Sequence, residues 1–213
     1  MEKIEKLSVK EFMDKLYSSM PAPGGGSAAA LGACIGAALA GMVFNLTTGK
    51  KFYNEYDDSV KEKINKSLLR AGELKDEFLE LMDEDINAFN KVMAAFKLPK
   101  ESEEEKDIRS RSIQEAYKGA MEVPLKMARK AIEIFDLLEI SAKYGNPNAI
   151  SDAGVGALFA LSALESAVLN VRINLAAIKD RNVVDTASRE CEGLLELAKE
   201  RKERIIELVE GKL

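Results

Sequence analysis

From Leu16 to Gly49 the chain carries no charged side chain, and inside that span residues 21–46 read PAPGGGSAAALGACIGAALAGMVFNL. Three structures accept such a stretch: a phosphate-binding glycine loop, a membrane span, or a core helix with so little side-chain bulk that another backbone comes close. A phosphate loop needs a preceding strand and a Gly-Lys-Ser/Thr ending. Here Gly26 leads instead into Ser27 and three alanines. A span needs about 20 apolar residues, but Ala and Gly are only weakly apolar. The second hydrophobic segment, AGVGALFALSALESAVLNVRINLAAI, contains Glu165 and Arg172, both costly in lipid. A soluble core helix is therefore the expectation. Gly32, Gly36 and Ala40 recur every four residues, so one helix face lacks bulk and suits tight packing against a neighbouring helix or across a dimer twofold.

Apolar periodicity near 3.6 runs through most of the chain and strand signals are nearly absent, which predicts helices over about 8–19, 25–48, 59–96, 102–143, 151–179 and 182–211. Capping boxes are expected at Ser8 with Glu11, Ser59 with Glu62 and Ser102 with Glu105. Pro124 should kink or divide the fourth helix. The breaks PAPGGG, TTGKKFYNEYDD, KLPKES and KYGNPNAISD look like helix connections, not linkers. The expected architecture is all-α, a single domain over 1–213 built as a bundle of about six helices.

At 213 residues and 46% hydrophobic content there is material for one sizeable core. The net charge of -5 argues against a nucleic-acid surface, because phosphate binding needs clustered, uncompensated Lys and Arg. Cys34 and Cys191 have no metal-like spacing and the chain has no histidine, so neither a structural zinc site nor a disulfide framework is expected. With no apolar leader at its start, the sequence reads as reduced and cytoplasmic.

Several polar residues stand out. The amides after Gly24, Gly25 and Gly26 open a helix, where free N–H groups favour an anion or a carbonyl oxygen. Ser162, Ser166, Asn170 and Asn174 follow at intervals of four on an otherwise apolar helix. Such residues bond to neighbouring helices or line a polar pocket. Glu165 and Arg172, seven apart, could form an internal ion pair. Asn146, Asn148, Ser151 and Asp152 precede that helix, and one of them is expected to cap it. Without histidine, acid-base chemistry near neutral pH falls to Asp, Glu, Lys, Tyr or Cys. Asp152 and Asp85 are the candidates, each with a plain structural alternative as helix cap or solvated charge.

Taken in order, MPAPGGGSAAALGACIGAALAGMV, DEDINAFNKVMAAFKLPK, RSIQEAYKGAMEVP and YGNPNAISDAGVGAL leading to NVRINL closely resemble the formiminotetrahydrofolate cyclodeaminase / methenyltetrahydrofolate cyclohydrolase family over about residues 8–180. The resemblance implies an all-helical homodimer acting on a tetrahydrofolate one-carbon adduct, with no metal or redox cofactor, no nucleic acid and no membrane. It suggests Gly24, Gly25, Gly26, Ser27, Asn146, Ser151, Asn170 and Asn174 as substrate-binding residues, with Asp152 and Asp85 as catalytic carboxylates. Lys50, Lys51 or Lys100 could meet the glutamate tail, single or polyglutamylated. The implied reaction is cyclodeamination of 5-formiminotetrahydrofolate to 5,10-methenyltetrahydrofolate and ammonia. Hydrolysis of the methenyl compound to 10-formyltetrahydrofolate is the alternative, and a non-catalytic helical binding protein is a second one. The formiminotransferase to which some relatives are fused is missing from this sequence.

Overall fold

In the computed structural model, which describes residues 3–213, the charge-free stretch forms α2, Gly25–Thr47. It follows α1, Val9–Tyr17, and precedes a one-turn α3, Lys51–Asn54, that the sequence pattern did not reveal. Two long helices come next, α4 from Asp58 to Phe96 and α5 from Glu103 to Tyr144. The chain then passes through a 3-10 turn, Pro147–Ala149, into α6, Ile150–Leu175, and closes with α7, Arg181–Glu210. The six predicted helices are all present, and among the described residues there is no strand.

Helix α2 lies in the middle, packed against α4, α5 and α6. It runs antiparallel to α6: Gly25 faces Asn170, Gly32 faces Ala163, and Gly36 lies against Gly156 and Ala160. A Cβ at Gly36 would stand 3.1 Å from the Gly156 carbonyl oxygen. The bulk-free face is thus spent on a close helix pair within the chain, since only glycine lets the two backbones approach that far. Phe44, Phe78, Phe135, Leu138 and Leu164 fill the core around this pair.

Both α2 and the 147–175 segment are long and apolar enough to cross a membrane, yet 56% and 50% of their most hydrophobic windows are buried inside this chain. Core packing accounts for that half of their hydropathy. Their outer faces stay apolar and exposed, with Met42 on α2 and Val155, Leu158, Phe159, Leu169 and Ile173 on α6.

Capping boxes close α1 and α5 as expected, at Ser8 with Glu11 and Ser102 with Glu105. The third does not form. Helix α4 starts one residue earlier, Asp57 accepts from the Val60 N–H at 2.9 Å, and Ser59 Oγ donates to Asp57 at 2.6 Å. A carboxylate at the helix start outcompetes a hydroxyl two residues inside it. Helix α5 is continuous through Pro124, which is buried with Met121, Leu125 and Ala128; tertiary packing on both sides holds the helix across the missing N–H donor. Glu165 pairs with Lys199 at 3.9 Å across to α7, not with Arg172.

Candidate active site

The N-terminus of α2, the second half of α4, the middle of α5 and the end of α6 enclose a cavity of about 410 Å³. Gly24, Gly25, Gly26, Asp85, Asn170 and Asn174 all line it. On α4 the face carrying Asp85 continues through Phe89, Val92, Met93 and Phe96, so one helix delivers a carboxylate at the inner end and an apolar wall leading outward.

At the inner end, Asp85 meets the start of α2. Ser27 Oγ donates to Asp85 Oδ2 at 3.3 Å and lies 3.3 Å from the Met82 carbonyl oxygen. A Cβ on Gly26 would overlap the Asp85 carboxylate. The glycines thus leave room at the helix entrance, and the anion that approaches them is the protein's own Asp85. Burial pushes the Asp85 pKa above the ordinary carboxylate value, while the Ser27 hydroxyl and N–H work in the opposite direction. A carboxylate so placed exchanges protons more readily near neutrality than an exposed one.

Asn170 and Asn174 stand on the α6 side. Asn170 Nδ2 donates to the Ser166 carbonyl at 2.9 Å, and Asn174 Nδ2 donates to the carbonyls of Asn170 and Ala120 at 2.8 and 3.1 Å. With both NH₂ groups engaged by backbone, the carboxamide oxygens have no donor among the described residues and remain acceptors for a ligand. Ser162, at the other end of the stripe, is exposed. Among the described residues no three Cys, Asp or Glu side chains converge to hold a metal ion.

The connection before α6 lies at the far end of the α2–α6 pair. Asn146 donates from Nδ2 to the Leu46 carbonyl at 2.9 Å and from its N–H to Thr47 Oγ1 at 2.9 Å, while its Oδ1 accepts from the Asn148 N–H. Asn146 caps the 3-10 turn, and the residue before α6 is Ala149, which offers no side-chain cap. Asp152 therefore sits in the first turn of α6 beside Ser151 and not at the expected cap position. From there to Asn170 is about 27 Å along the helix at 1.5 Å per residue. Within one chain, Asn146, Ser151 and Asp152 do not line the cavity that holds Asp85. Lys50 and Lys51 are likewise beyond the distant end of α2.

Phe89, Met93, Phe96 and Tyr117 complete the cavity wall. Sequence reasoning did not single them out because an apolar stripe at helical spacing is the ordinary signature of a core; the available signals were that the α4 stripe continues the face of Asp85 and that Tyr117 falls in the RSIQEAYKGAMEVP motif.

Fold and site together define an all-helical enzyme with a half-buried carboxylate at the base of a largely apolar cavity. Residues 8–193 match the Formiminotransferase-cyclodeaminase family. A methenyltetrahydrofolate cyclohydrolase from Methylorubrum extorquens is 45% identical over 97% of this chain and 97% of its own length. The chicken formimidoyltransferase-cyclodeaminase is 37% identical over 89% of this chain, which spans 34% of that longer protein. The crystal structure of formiminotetrahydrofolate cyclodeaminase from Thermotoga maritima superposes with a TM-score of 0.85 at 31% identity, covering 98% of each chain. The chain belongs to the cyclodeaminase/cyclohydrolase family of folate enzymes.

Proposed function

We propose that this protein hydrolyses 5,10-methenyltetrahydrofolate to 10-formyltetrahydrofolate, with Asp85 as the group that moves protons. The observation carrying this reading is a lone carboxylate, raised in pKa by burial, at the inner end of a cavity in which the Asn170 and Asn174 carboxamide oxygens are open acceptors. The full-length similarity to a cyclohydrolase supports hydrolysis over the deamination expected from sequence motifs. The methenyl bridge is a carbon cation delocalised over N5 and N10, and an anion beside it lowers the cost of holding that charge. As general base, Asp85 takes a proton from the attacking water while the C–O bond forms. The protonated carboxyl returns a proton to N5 as the C–N5 bond breaks, and the hydroxyl proton leaves to solvent as the formyl C=O forms. Asn170 and Asn174 would accept from the N–H groups of the pterin.

Cyclodeamination is the second reading, favoured by the likeness to the Thermotoga enzyme. There N10 attacks the protonated formimino carbon, Asp85 relays the N10 proton to the amino nitrogen, and ammonia departs. Incubating the protein separately with 5-formimino- and 5,10-methenyltetrahydrofolate, while following methenyl absorbance and ammonia, distinguishes the two. Accelerated loss of methenyl marks the hydrolase. Its appearance together with ammonia marks the deaminase, and uncatalysed rates in both arms would leave a binding protein.

The same reading includes a cytoplasmic homodimer acting on mono- or polyglutamylated folate. Both thiols are buried and unpaired, as in a reduced compartment. The exposed apolar faces of α2 and α6 lie side by side and supply a surface for a second copy. If two copies meet face to face with these helices antiparallel, the Asp152 end of one lies against the Asp85 end of the other. This would bring Asn146, Ser151 and Asp152 to the partner's cavity.

A further inference from the structure

Arg109, on the first turns of α5, lies directly behind Phe96, a residue of the cavity wall. Its guanidinium carbon lies 5.5 Å from the centroid of the Phe96 ring. Phe96 lines the cavity and meets Tyr117, another lining residue, edge to face at 6.1 Å. Arg109 Nε and Nη2 donate to the Phe96 carbonyl oxygen at 3.3 and 3.2 Å. These bonds close the end of α4 and fix the plane of the guanidinium. They occupy two of the five N–H donors of an arginine, so three remain, including both on Nη1. Arg70 and Arg129 spend theirs on carboxylates, whereas no Asp or Glu among the described residues pairs with Arg109.

A cation with spare donors next to Phe96 and a carboxylate at the inner end of the cavity match a ligand that is positive at its reacting end and negative at its tail. Phe96 lies eleven residues after Asp85 on α4, about 16 Å along the helix. In an extended folate the one-carbon unit and the glutamyl carboxylates are separated by an aromatic amine, a ring and an amide, about 12 Å at ordinary bond lengths. One charge-assisted contact of about 2.8 Å at the tail covers most of the difference. The wall between, Phe89, Met93 and Phe96, is apolar and suits the benzoyl ring.

Resting on the folate reading, we infer that Arg109 is the specificity-determining residue that recognises the glutamyl carboxylate of the substrate. Lys100 lies in the connection between α4 and α5, and Arg109 acts ahead of it, because its fork is already oriented by the Phe96 carbonyl.

The test compares 5,10-methenyltetrahydrofolate with 5,10-methenyltetrahydropteroate, which lacks the glutamyl group, in the wild type and in Arg109→Met and Arg109→Lys. The wild type should favour the folate by about tenfold or more in kcat/KM, chiefly through KM, on the usual scale of a charged hydrogen bond. Arg109→Met should bring that preference to within about twofold of unity while leaving pteroate turnover within about twofold of wild type. Arg109→Lys keeps the charge but not the fork and should fall between. A role confined to closing α4 would lower both substrates together and preserve the preference; that result overturns the inference, as does an unaltered preference in Arg109→Lys if the Met variant does not fold. Wild-type protein inert toward both compounds and toward their formimino counterparts would instead overturn the folate reading, and this inference with it.

Discussion

The Asp85 carboxylate occupies the space that a side chain on Gly26 would fill. Two segments distant in sequence are thereby matched atom to group: a glycine at the start of a small-residue helix and an acid in the middle of an amphipathic one. Gly26→Ala should displace the carboxylate, lower turnover, and cost about 1–3 kcal/mol as an overpacked site. In an Asp85→Ala background the same change should be nearly neutral in stability. Thermal denaturation of the two single variants and the double variant measures that coupling, and strictly additive effects would show that the two groups do not compete for space.

Asp85→Asn is expected to lower kcat by about 10²-fold or more, the scale of a positioned acid-base group. Its effect on stability has the opposite sign. Because burial raises the folded-state pKa above the unfolded value, the folded protein holds this proton more tightly than the unfolded chain. The contribution to stability is thus fully present below the unfolded pKa and lost as pH rises through the folded one. The Asn variant should therefore gain in relative stability as pH rises from about 4 through the raised folded pKa, and kcat/KM of the wild type should fall on the acid side above the ordinary carboxylate range. A flat difference in melting temperature across that range would count against the raised pKa.

Glu190 provides an internal contrast. Arg129 holds it bidentately, at 2.5 and 2.8 Å, and lowers its pKa despite partial burial. Its folded value lies below the unfolded one, so the stability it supplies is present above the unfolded pKa and lost as pH falls through the folded pKa. Glu190→Gln should accordingly reduce the acid sensitivity of the α5–α7 contact, read as a shallower loss of melting temperature on acidification.

Gly36→Leu should destabilise the chain by about 1–3 kcal/mol, because Gly156 O and Ala160 N lie 3.1 and 3.5 Å from where a Cβ would stand. The contact is intramolecular, so unfolding experiments should report the loss at every protein concentration. Unchanged stability would mean that α2 and α6 separate at low cost.

Mixing two inactive variants tests the partner arrangement. If Asp152 serves the partner's cavity, Asp85→Asn and Asp152→Asn proteins, unfolded and refolded together, should recover about a quarter of native activity. Random pairing makes half of the dimers mixed, each with one intact site of two. Mixed dimers that form without any regained activity would return Asp152 to a first-turn helix charge.

Periodicity and caps placed α1 and the five long helices, because local hydrogen bonding and one-dimensional apolar spacing decide where a helix runs. The small-residue face of α2 was equally visible, since Gly and Ala at four-residue spacing admit only close packing. What that face packs against was not visible: Gly36 meets Gly156 by antiparallel pairing over more than a hundred residues of chain. Competition at a helix start was also beyond pattern alone, as Asp57 displacing Ser59 shows. The motif residues divided for the same reason. Gly24–Ser27, Asp85, Asn170 and Asn174 converge because antiparallel α2 and α6 place the start of one beside the end of the other, whereas Asn146, Ser151 and Asp152 are carried to the opposite end. Burial of Asp85, and with it the direction of its pKa, depends on neighbours from three other helices. The sequence by itself determined the helices and the residue types able to do the chemistry; tertiary structure alone decided which of them share a cavity, because convergence is a property of packing in three dimensions and leaves no period along the chain.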